Sequence, residues 1–134
     1  MKQSTHSPWE SPYAAEAEQR WGHTDAYKES ARRTKKYTAA DWERFKQESE
    51  TNTLKLAELM KAGFPADSAD TLKAVEAARL LICHWFYECS REMHANLGQM
   101  YVSDSRFTET YDKVAPGLAQ YICDATAANA FHKA

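Results

Sequence analysis

His84-Trp85-Phe86-Tyr87-Glu88-Cys89-Ser90-Arg91-Glu92-Met93-His94-Ala95-Asn96-Leu97-Gly98-Gln99-Met100-Tyr101 is the stretch on which the fold turns. Extended back to Asp70, it carries the stripe Leu72, Val75, Arg79, Ile82, Phe86, Cys89, Met93, Asn96, Met100. Steps of three and four keep every member on one helical face. The spacing predicts one long central helix over 70–100, ~45 Å from end to end at ~1.5 Å per residue, with other helices packed on it. Asn96 interrupts the apolar stripe, so it is either a hydrogen-bonded core amide or the floor of a site.

Outward from this stretch, capping signals divide the rest of the chain. Residues 1–12 are rich in Ser, Pro and polar side chains and read as a disordered leader. A short helix is expected over 13–21, stopped by Gly22. A second follows, capped by Thr24 and running to about Lys36. Thr38-Ala39-Ala40-Asp41 reads as a capping box opening a third helix that ends at Gly63. After the turn at 64–68, Ser68 or Asp70 caps the central helix, and the capping residues at 102–105 precede a short helix carrying Phe107, Tyr111 and Val114. Pro116 suits the first position of a last helix reaching Ala130. The reading is all-α, with about six helices.

The 134 residues, net charge −2, 27% charged and 43% hydrophobic, fit a single domain with a modest core. No stretch reads as a membrane span or secretory signal, so the expected location is cytoplasmic, with no membrane partner and a monomeric state. Cys83, Cys89 and Cys123 are an odd number without zinc-type spacing and are expected as free thiols. The lack of a glycine-rich phosphate loop speaks against nucleotide-binding folds.

Each chemical motif has a plain structural counterpart. His84, Glu88 and Glu92 share helical spacing that suits a metal, but Glu92 and His94 are two apart and point to different sides, so an ion-paired face is preferred and no metal or other cofactor is expected. His94 reads as a satisfied structural histidine. Arg32, Arg33, Lys35 and Lys36 beside Tyr27 and Tyr37 form a basic aromatic patch, yet 19 acidic residues outnumber 17 basic ones and no recognition helix follows. Cys89 has Arg91 and His94 nearby, but a small core residue is the simpler reading, and no catalytic set is legible. Four Trp, seven Tyr and five Phe, several in the polar amino-terminal half, suit either packing or an aromatic groove for a large ligand.

A resemblance gathers these features. Arg20-Trp21-Gly22-His23-Thr24-Asp25-Ala26-Tyr27 with Ser30, Tyr37-Thr38, Asp41-Trp42, Pro65-Ala66-Asp67-Ser68, Glu92-Met93-His94, Leu97-Gly98-Gln99-Met100-Tyr101-Val102-Ser103-Asp104, Arg106-Phe107-Thr108 and Pro116-Gly117-Leu118-Ala119 follow one another as in the TipAS antibiotic-recognition domain, which the chain resembles from about Tyr13 to Ala130. The resemblance implies a globin-like helical domain without haem, here 13–134. Helices within 13–61 would act as a mobile lid over a cleft in a core at 68–134. It also implies that the domain is not an enzyme but binds, and sequesters or senses, a bulky aromatic antibiotic such as a thiopeptide. The implied ligand contacts along the stripe are Arg79, Phe86, Cys89, Met93, Asn96 and Met100. Around it they are Trp21, Tyr27, Trp42, Glu92 and Tyr101.

Three departures shape the expectation. The match opens near the start of the chain, which points to a stand-alone binder with no nucleic-acid partner through this domain. The family's thiopeptide-capturing cysteine precedes Leu-Gly, where this chain has Asn96, and a carboxamide is no nucleophile toward dehydroalanine, so binding is expected to be non-covalent. Ala78 stands before Arg79 where relatives often have His-Arg, so one polar contact is expected to be missing. The alternatives are the effector-binding part of a MerR-type activator and a thiol-dependent drug-modifying enzyme using Cys89.

Overall fold

The computed structural model describes residues 24–131. They form six helices: α1 Asp25–Thr34, α2 Ala39–Lys61, α3 Ala69–Trp85, α4 Arg91–Ser103, α5 Ser105–Asp112 and α6 Leu118–Phe131. The expected leader at 1–12, the helix at 13–21 and Trp21 lie outside the described residues.

Local chemistry sets most boundaries where the sequence places them. The Thr24 hydroxyl accepts from the Tyr27 amide at 3.1 Å. Thr38 and Asp41 close a reciprocal capping box, with the Thr38 amide on Asp41 Oδ2 at 3.0 Å and the Asp41 amide on Thr38 Oγ1 at 3.2 Å, satisfying two otherwise orphaned donors. Gly63 leaves α2 at φ 89°, in the left-handed region that favours glycine. Ser68 caps α3 and Asp104 caps α5. The last helix begins two residues later than Pro116 suggests. Gly117 turns at φ 89°, and the orphan amide of Ala119 finds Asp112 Oδ1 at 3.0 Å.

The single central helix over 70–100 is not observed. It is two helices, α3 and α4, separated at 86–90. The Phe86 and Tyr87 amides both donate to the Ile82 carbonyl, at 2.8 and 3.2 Å, and end α3. The Ser90 hydroxyl then accepts from Met93 at 3.0 Å and starts α4. Trp85 is buried with its indole N–H on Glu48 Oε1 at 2.8 Å, and its carbonyl accepts from the Tyr37 hydroxyl. The stripe of the sequence runs through the break but changes surroundings: Val75 is buried on α3, whereas on α4 the buried residues are His94 and Gly98 and the stripe residue Asn96 is exposed. Periodicity therefore cannot see the interruption, whereas the capping residue Ser90 marks it.

That core gathers Leu56, Leu59, Ala74, Leu118 and Ile122 from α2, α3 and α6, each large side chain worth roughly 1.5–3 kcal/mol of burial. The most extensive helix contact is between α4 and α6. They touch at Gly98, where an added Cβ would lie 2.3 Å from Thr126 Oγ1 and 3.2 Å from Cys123 Cα. By contrast α1 has no buried residue. It is tied down by Arg33 Nη1 on the Cys83 carbonyl at 2.8 Å, and the Tyr37 link follows just after it. The expected lid through residue 61 overlaps this core, because Leu56, Ala57 and Leu59 in the last turns of α2 are buried in it.

Candidate functional site

A cavity of about 590 Å3 lies where the start of α1 meets one face of α4. Thr24, Ala26 and Tyr27 form one wall; Met93, Asn96 and Met100 form the other, with Leu97, Gln99 and Ser103 beside them and Tyr87 from the break. The spacing 93, 96, 100 is the part of the sequence stripe that survives on a single helix. Two thioethers offer adaptable, polarisable contacts. Asn96 is exposed on this wall, where its amide can both donate and accept. Burial pushes the Tyr87 hydroxyl up to about 12, so it is a neutral donor at any ordinary pH.

The other residues named from the sequence lie elsewhere. Trp42 and Phe86 belong to an aromatic cluster with Tyr37, Phe45 and Trp85, whose ring centroids are 5.0–6.3 Å apart. Much of the amino-terminal aromatic content therefore packs against the end of α3. Phe86 also lines a separate inner cavity, as does Tyr101, whose ring lies 4.9 Å from that of Tyr111. Glu92 is exposed in the first turn of α4. Thr24, Ala26, Tyr87, Leu97, Gln99 and Ser103 join the wall without having been named as ligand contacts. Leu97 and Gln99 sit inside the 97–104 block, while Tyr87 comes into place only through the break.

Arg79 and Cys89 form part of a polar clamp. Glu76 accepts from Arg79 at Nε over 3.0 Å and again through Nη2, from Arg91 Nε at 3.2 Å and from Asn129 Nδ2 at 2.8 Å. Hydrogen bonds from Arg79 above all, opposed by burial, hold its carboxyl down at about 2. Arg79 Nη1 reaches the Cys89 carbonyl at 2.7 Å. Cys89 itself is 1% exposed, and burial raises its thiol to about 11. It therefore stays protonated and out of reach, and with the helix broken it no longer stands on the helix that carries Asn96. His94 differs from expectation: it is buried, but its Nδ1 has no hydrogen-bond partner, and burial lowers its pKa to about 4. His84, Glu88 and Glu92 fall on α3, the break and α4, and no group of His, Cys, Asp or Glu able to hold a metal occurs among the described residues. In the basic patch, Arg32 and Arg33 pair with Glu29.

A larger open groove of about 1270 Å3 runs between α2 and α3. Glu48, Lys55, Glu58, Asp70 and Lys73 line it with opposed, hydrated charges. The α1/α4 cavity sets Met, Tyr and Leu surfaces beside uncharged hydroxyl and amide groups and has no charged side chain in its wall, the character of a ligand site.

Comparison with known proteins bears on the same residues. The family model of the TipAS antibiotic-recognition domain matches residues 13–129. The chain belongs to the TipAS family. It is 48% identical over 118 residues to the HTH-type transcriptional activator TipA of Streptomyces coelicolor, covering 88% of this chain and 47% of that protein. To the HTH-type transcriptional activator mta of Bacillus subtilis it is 34% identical over 113 residues, covering 84% and 43%. The chain thus spans about half the length of these relatives. The solved complex of nosiheptide with TipAS from Streptomyces lividans superposes with a TM-score of 0.83 at 47% identity, over 88% of this chain and 82% of that one. The antibiotic-binding domain of a TipA-class multidrug resistance transcriptional regulator gives a TM-score of 0.62, over 66% of this chain and 95% of that one. The TipAS domain here is all-α, and no described helix is long and apolar enough to cross a membrane.

Proposed function

We propose that this TipAS domain binds a bulky aromatic peptide antibiotic of the thiopeptide class reversibly in the α1/α4 cavity. The carrying observation is the cavity itself: Tyr27 on the sparsely anchored α1 faces Met93, Asn96 and Met100 on the firmly packed α4. The homologous domain complexed with nosiheptide supplies the ligand class. Flat heteroaromatic rings lie against the Met and Tyr side chains, and the Asn96 amide fixes their orientation. α1 lacks buried side chains of its own, so ligand contact supplies what it needs to hold its place, and binding stabilises the domain by mass action. The bond is non-covalent because Asn96 stands at the capturing position. The setting is cytoplasmic.

Nosiheptide is expected to raise the melting temperature in proportion to the logarithm of its concentration, while denaturing mass spectrometry recovers the chain at unchanged mass. An unchanged melting temperature at saturating nosiheptide overturns the reading. A second reading, an effector-sensing part of a longer activator, rests on relatives in which the matched region is less than half of an HTH-type protein. The two readings share this site and differ in what lies beyond it.

A further inference from the structure

Two of the three cysteines meet at the break between α3 and α4. The Cys83 thiol, in the last turn of α3, donates to the Cys89 carbonyl and accepts from the Cys89 amide, both at 3.4 Å. Bond lengths then put that sulfur within ~5 Å of the Cys89 Cα. From there, rotation of the Cys89 side chain about its single Cα–Cβ bond brings the two sulfurs towards ordinary disulfide geometry. The two thiols differ in access: Cys83 is part-exposed, whereas Cys89 is buried, with its own Sγ 3.6 Å from the Ser90 carbonyl. Arg79 Nη1 lies 3.9 Å from Cys83 Sγ, a positive charge beside the sulfur that solvent can reach. The third thiol, Cys123, is buried on α6 and contacts Gln99 Nε2 at 3.5 Å.

We propose that Cys83 and Cys89 are a hydroperoxide-sensitive thiol pair that oxidises to a disulfide across the break. The Cys83 sulfur attacks one peroxide oxygen; the O–O bond breaks, the other oxygen leaves as water with the Cys83 proton, and a sulfenic acid remains. The Cys89 sulfur then attacks Cys83; the S–O bond breaks and hydroxide departs with the Cys89 proton as a second water. The two sulfurs together lose two electrons and the peroxide gains them. Burial bars Cys89 from reagents in solution, so a sulfur already beside it is the partner it can take. Tyr87, which borders the α1/α4 cavity, stands within the ring that the bridge closes.

The test treats the folded full chain with hydrogen peroxide, then alkylates it with iodoacetamide in denaturant. Trypsin cuts after Arg79 and Arg91 and releases Leu80–Arg91, which holds both cysteines. That peptide is expected to be lighter by two hydrogens and unalkylated, and to recover two alkylated thiols when dithiothreitol precedes the iodoacetamide, while Cys123 is alkylated throughout. Cys83→Ser is expected to abolish the mass loss and leave Cys89 open to alkylation; Cys123→Ser is expected to leave the mass loss unaltered. A peptide alkylated at both thiols overturns the proposal, as does one carrying added oxygen at Cys83 with Cys89 alkylated, or a bridge that includes Cys123. If Cys83→Ser fails to fold, the peptide from the unaltered chain decides.

Discussion

Arg79 donates to the Cys89 carbonyl over 2.7 Å while its other nitrogens hold Glu76. One side chain of α3 thus secures the backbone of the break that separates α3 from α4. Through Glu76 the same clamp reaches Arg91 at the start of α4 and Asn129 near the end of α6. Removing Arg79 takes the principal donor from the part-buried Glu76 carboxylate and leaves the Cys89 carbonyl only the weak Cys83 thiol donor at 3.4 Å. Arg79→Met is expected to cost about 2–3 kcal/mol, read as a lower urea midpoint. Unchanged stability with lost antibiotic affinity would instead make Arg79 a ligand contact.

Acid sensitivity follows from two groups shifted below their ordinary values. His94 titrates at about 4 in the fold against 6.5 in an open chain. As pH falls from 6.5 towards 4, the unfolded chain takes up a proton that the folded imidazole refuses, and stability drops by on the order of 3 kcal/mol. Glu76, held at about 2 against 4.5, contributes stability that is full above pH 4.5 and is lost as pH falls towards 2. Denaturation midpoints measured from pH 8 to pH 3 should fall in two overlapping stages. His94→Phe should flatten the first and leave the second.

At Gly98 the backbone of α4 lies directly against α6, with Thr126 fully buried opposite it. Alanine would gain roughly 1 kcal/mol of helix propensity but would press a methyl against Thr126 Oγ1 and the Cys123 backbone, an overpacking that costs typically 1–3 kcal/mol. Gly98→Ala is therefore expected to lower the thermal midpoint. A rise would show that the two helices can part without loss.

Asn96 is exposed on the cavity wall, so Asn96→Cys should leave the fold intact and place a thiol against the ligand. Conjugate addition joins the sulfur to the β-carbon of a dehydroalanine, and a proton goes to the α-carbon. Intact-mass analysis of Asn96→Cys with nosiheptide should show the chain plus the whole ligand mass. The unaltered chain should show no adduct, since Cys89 is buried and protonated.

Caps and turns were legible in the sequence wherever one residue decides the geometry, as at Thr24, Thr38 with Asp41, and Gly63, while Ser68 and Asp104 emerge as the caps from neighbours that the sequence left open. The break at 86–90 was not, because the three- and four-residue spacing of the stripe runs straight through it, and Ser90, which lies off that stripe, was given no capping role. Of the residues named from the stripe and the resemblance, Tyr27, Met93, Asn96 and Met100 line one cavity. Arg79, Cys89 and Trp42 went into the clamp and the aromatic cluster instead, through contacts between residues tens of positions apart that periodicity does not encode. The unpaired Nδ1 of His94 also depends on what five helices bring around it.

Hydrogen exchange with and without nosiheptide tests the central claim most directly. Closure of the α1/α4 cavity predicts the largest slowing in residues 25–34 and in the 93–100 face of α4, beyond the general slowing that added global stability gives the buried α6. Identical exchange of α1 in both states with nosiheptide bound, or protection confined to the α2/α3 groove, would contradict it.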